Sequence, residues 1–125
     1  MELERVRNGD KIIGYIRRDR KHPFYSRDLL WWSGAVPEYQ EVDAFTGLTS
    51  ADGRKLFVHD IVRVHFAGVF SPSKNMRIAQ LDHRFWLIEL NTNSRRALTD
   101  KSIIRMEFRS HTFLNTDRIF GVDPQ

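Results

Sequence analysis

No segment of helical length in this chain keeps an apolar residue at every third or fourth position, so no amphipathic helix would have a face to bury. What recurs instead is a short run rich in β-branched and aromatic residues, at 12–16, 29–32, 56–58, 61–66, 85–90 and 103–108. Each run is bounded by Gly, Pro, Asn, Asp or Ser, the punctuation of strands joined by tight turns. The cleanest alternation is Ile61-Val62-Arg63-Val64-His65-Phe66. Val62, Val64 and Phe66 share one face, which predicts a core side, while Arg63 lies on the other. Phe85-Trp86-Leu87-Ile88 is apolar on both faces, so it is either covered twice or presents an aromatic to a partner. Thr99 or Asp100 is the best place to open a short helical turn. Asn8-Gly9-Asp10, Asp52-Gly53 and Asp82-His83-Arg84 read as hairpin reversals, and residues 91–94 close the run that starts at Phe85. Residues 67–75, with Gly68, Pro72 and two serines, read as an exposed loop. The expectation is an all-β, or mostly β, fold: a small barrel-like domain of short antiparallel strands with at most one or two short helical turns.

Composition narrows the function classes. The 125 residues suffice for a self-sufficient core, and with no repeat or linker the expectation is a single domain over 1–125. Hydrophobic residues at 41% and charged residues at 29% exclude a mainly disordered chain. The absence of cysteine removes disulfides, thiolate nucleophiles and zinc-thiolate sites. No apolar run approaches the ~20 residues of a membrane span, and Met1 is followed closely by Glu2 and Glu4, so neither a span nor a signal peptide is expected. A net charge of +4 is a modest excess. A cytoplasmic protein with no membrane association is expected.

One ordered set of words goes further. Phe45-Thr46-Gly47-Leu48-Thr49, then Asp52-Gly53-Arg54-Lys55-Leu56-Phe57, then His59-Asp60-Ile61-Val62-Arg63-Val64 resembles the central signature of the YopX family. Upstream, Asn8-Gly9 and Gly14-Tyr15 resemble that family's N-terminal hairpin, and Pro37-Glu38 with Glu41-Val42-Asp43 resembles the lead into the Thr-Gly-Leu segment. The resemblance covers residues 7–66, and 77–90 more loosely. It implies a phage or prophage origin and a mostly β, barrel-like domain, and it carries over no catalytic residues. One departure is physical: His59 stands where the family often has Gly. If that position needs a positive φ, a non-Gly residue there is strained by ~1–2 kcal/mol. Read from the residues alone, the same words specify a turn-rich corner, with Thr46-Gly47 ending a strand and Asp60 capping the next.

The histidines at 22, 59, 65, 83 and 111 lack close metal-ligand spacing, and a site assembled from His59, His65 and His83 with Asp60 and Asp82 competes with ordinary turn histidines. Ser71 and Ser73 have no nucleophile elbow. Glu38 and Glu41 sit beside a Pro turn, and Gly47 with Gly53 forms no phosphate loop. The expectation is no enzyme, no cofactor and no metal. The cations are more suggestive. Arg17, Arg18, Arg20 and Lys21 outnumber Asp19 in one short stretch, and Phe24, Tyr25, Trp31 and Trp32 follow. Cations that neutralise phosphates beside aromatics that stack on bases form a single-strand-binding recipe, against which stands a merely solvated hairpin tip.

The aromatics also fit a protein interface. Trp and Arg dominate hot spots, and Trp31-Trp32 on a strand would point to opposite faces, so one ring needs cover beyond a one-sided core. Phe85-Trp86 poses the same problem. The leading expectation is a phage or prophage accessory protein, a non-catalytic module that modulates or inhibits a host protein, for example in defence or nucleic-acid processing. Its partner-binding residues would be Arg17, Arg18, Arg20, Lys21, Trp31, Trp32, Phe85 and Trp86. The alternative is a DNA- or RNA-binding barrel using the basic loop 17–22.

Overall fold

A computed structural model describes residues 2–20, 22–68, 72–92 and 94–111. Ten strands follow in order: β1 (Glu2–Asn8), β2 (Lys11–Asp19), β3 (His22–Ser26), β4 (Glu41–Thr49), β5 (Lys55–Phe57), β6 (Asp60–Phe66), β7 (Lys74–Leu81), β8 (Arg84–Glu89), β9 (Arg95–Ala97) and β10 (Ile103–His111). They form two five-stranded antiparallel sheets, ordered β3-β2-β1-β4-β5 and β10-β6-β7-β8-β9, and no helix occurs among the described residues. The fold is all-β. Barrel closure is corrected: the sheets are not closed into a barrel. Each strand order is open: among the described residues β3 does not pair with β5, nor β10 with β9.

The described residues group into two compact units, 2–45 and 46–111. In the first, Gly9 at φ 60° turns β1 into β2, with Asn8 opposite Lys11. Val6 and Ile16 are fully buried. Beside them lies a buried ion cluster: Asp43 of β4 accepts from Arg5 Nε at 2.9 Å and from Arg7 Nε at 3.0 Å. The opposed register Arg5↔Asp43 places these charges together. Strand β1 escaped the sequence reading for this reason, since two of its three buried residues are arginines.

The second unit is built around β6, flanked by β7 and β10. Val62 and Val64 are fully buried and Phe66 nearly so, whereas Arg63 is half-buried, as the alternation predicts. Leu56, Met76, Ile78 and Leu87 are buried in the same core. Asp82 and His83 both take left-handed φ, 52° and 64°, and turn β7 into β8, the backbone of a two-residue hairpin turn. The segment at Thr99 and Asp100 is a turn and not a helix. Asp100 Oδ1 accepts from the Ser102 amide at 2.9 Å and from its hydroxyl at 2.8 Å, a local bond that competes with helix formation. Of the expected loop 67–75, Ala67 and Gly68 are exposed and β7 already starts at Lys74, while Ser71 lies outside the described residues.

Candidate protein-binding loop

Residues 29–32 do not form the expected strand. They follow β3 as a bent loop, because two side chains capture its amides. Ser26 Oγ accepts from the Leu29 amide at 2.8 Å and the Asp28 amide at 3.2 Å. Asp28 Oδ1 accepts from Leu30 N–H at 2.8 Å and Trp31 N–H at 3.2 Å. Those amides are thereby lost to a strand ladder, and Leu29 is turned to φ 71°. The Leu30 and Trp31 amides, followed by the Ser26 hydroxyl, hold the Asp28 carboxyl below its ordinary range. A backbone bridge between Tyr25 and Ser33, with both N–H···O bonds at 2.8 Å, fastens the far end of the loop.

The consequence is two large apolar side chains held in water on an ordered backbone. Leu30 is 77% exposed and Trp31 81% exposed. Trp32, by contrast, is half-buried, with the Arg17 guanidinium 4.6 Å from its ring centroid and 5.5 Å from that of Phe24. The adjacent tryptophans thus divide: Trp32 belongs to the scaffold and Trp31 to the surface.

The basic stretch is used differently from its expectation as a loop. Arg17 and Arg18 lie within β2. Arg17 Nε is buried without a hydrogen-bond partner among the described residues, and its charge faces aromatic rings, a contact worth ~0.5–2 kcal/mol. Arg18 donates to Glu4 Oε1 at 2.6 Å and to the Tyr39 hydroxyl at 3.2 Å. Arg20 sits at the strand end with φ 60° and is exposed. Lys21 lies outside the described residues.

Phe85 and Trp86 lie in the second unit, both half-buried on β8. They line a cavity of about 400 Å3 with Leu48 and Leu98, and the Arg95 guanidinium stands 5.4 Å from the Trp86 ring centroid. Among the histidines, His65 Nε2 pairs with Glu107 Oε1 at 2.6 Å, and this bond is the first cause of a lowered Glu107 carboxyl. His59 occupies a left-handed turn at φ 81°. No three His, Asp or Glu side chains converge on a metal-sized space among the described residues.

Sequence reasoning named Trp31 but missed Leu30, and it missed the two residues that present both. The signal was legible as Ser26-Arg27-Asp28 before an apolar run, since Ser and Asp two apart are strong turn-formers. Compared with protein-family models, curated proteins and solved structures, the chain finds no match.

Proposed function

We propose that this protein is a non-catalytic binding module whose anchor is the Leu30–Trp31 loop. It would act in the cytoplasm of a phage-carrying bacterium, where it modulates a host or phage protein. The YopX-like words supply the proposed origin, and the loop supplies the mode of action. The observation that carries the reading is an 81%-exposed tryptophan beside a 77%-exposed leucine on a backbone already fixed by Ser26 and Asp28. An isolated exposed apolar residue is ordinary, but adjacent large ones on an ordered loop are a feature of recognition surfaces. Fixing the loop before binding lowers the ordering cost of association, and Trp is the residue most enriched at hot spots. Arg20 and Arg27 are exposed nearby in the chain, so the fitting partner surface is an apolar pocket with an acidic rim.

Direct nucleic-acid binding is less favoured by the same geometry. Arg17 is stacked between rings and Arg18 is bonded to Glu4 and Tyr39, so neither is poised for phosphates. The test is a titration with random-sequence DNA and RNA at low and physiological salt, using the protein and its Arg20→Ser/Lys21→Ser variant. Binding confined to low salt is expected, because counterion release drives non-specific association. Micromolar binding that survives physiological salt and disappears in the variant would overturn the proposal.

A further inference from the structure

We infer that the second unit carries a binding site for a small organic anion with an apolar, ring-sized body. Its cavity of about 400 Å3 falls within the ~300–1,000 Å3 of ordinary ligand pockets. In its lining Leu98 is buried, Phe85 and Trp86 are half-buried, and Leu48 of β4 adds a further apolar side chain. Such a lining favours a flat hydrocarbon body, which aromatic walls contact over a large area.

The charge of the occupant follows from the rim. Arg84 is the charged member of the lining, it is exposed, and it has no acidic partner among the described residues. Two left-handed turn residues, Asp82 and His83, fix the start of β8 and so the place of Arg84 at the cavity. Among the described residues no carboxylate lines the cavity to repel an anion. A guanidinium at an apolar mouth suits a single carboxylate, which it can grip with two parallel hydrogen bonds. A nucleotide would need a set of phosphate donors that this lining does not provide. The site uses no residue of the Leu30–Trp31 loop, and neither reading depends on the other.

The experiment titrates the full chain with 2-naphthoate and with its neutral isostere 2-naphthamide, followed by amide NMR shifts and calorimetry. Saturable shifts centred on Phe85, Trp86 and Leu98 are expected, with the acid bound up to about fivefold more tightly, the ceiling for a solvent-exposed ion pair. Arg84→Gln should bring the acid-to-amide ratio to one. Thr99→Trp, at an exposed lining position, should weaken both ligands in a protein whose spectrum stays dispersed. Absence of saturable shifts at these residues, an acid preference that persists in Arg84→Gln, or undiminished binding in Thr99→Trp would each overturn the proposal.

Discussion

Gly14 shows how tightly single positions are determined. It sits at φ 152°, and a Cβ there would meet the Ser26 carbonyl oxygen at 2.5 Å and the Tyr25 ring at 2.7 Å. Tyr25 lies across the glycine and donates its hydroxyl to the Ile13 carbonyl. Backbone cannot retreat as a flexible side chain can, so Gly14→Ala is expected to cost about 3 kcal/mol, read as a lowered urea midpoint. His59 is the opposite case. Its φ of 81° is the strain that its place in the turn predicted. His59→Gly should relieve the left-handed penalty, offset in part by the greater freedom of unfolded glycine and by the interactions His59 makes, for a net gain of at most about 1 kcal/mol. The check is a higher urea midpoint at unchanged slope.

At the scale of elements, legibility depended on what a strand buries. Strand β6 was readable because valines and phenylalanine alternate with polar residues. Strand β1 was not, because Arg5 and Arg7 are buried against Asp43, and no apolar period records an inward-facing charge. Asp43→Asn would remove the anion that both guanidiniums face, at a cost of about 3–5 kcal/mol, measurable by thermal or urea unfolding. The 29–32 run misled for a different reason: its residues have strand chemistry, but Ser26 and Asp28 take the amides. This loop has a pH dependence of known sign. The Asp28 carboxyl titrates below the ordinary ~3.9 of an aspartate, so its support is complete above that value and is lost as pH falls through the depressed one. Backbone 15N order parameters at Leu30 and Trp31 should stay high from pH 7 to about 4 and drop only below it. Asp28→Ala should show the low values already at pH 7, with the rest of the spectrum unchanged.

For the whole molecule, β content and antiparallel pairing were legible, since turns and short β-branched runs encode them locally. Whether a sheet closes depends on whether its outer strands meet, a long-range pairing set by strand number, tilt and stagger that no local pattern marks. The candidate site was legible by composition but not by assignment. Arg17 and Arg18 read as phosphate contacts, yet they are spent on Trp32, Phe24, Glu4 and Tyr39. Adjacent tryptophans carry no sequence mark of which one is exposed. The central claim is that Trp31 anchors a protein partner, and photo-crosslinking tests it most directly. A benzophenone amino acid replaces Trp31 in one protein and the exposed Lys11 in a control, with irradiation in the proposed bacterial host and purification with and without nuclease. A discrete, nuclease-resistant protein adduct is expected from position 31, absent from position 11 and lost when Asp28→Ala is added. A nuclease-sensitive adduct, equal crosslinking from both positions, or none from position 31 would contradict that claim.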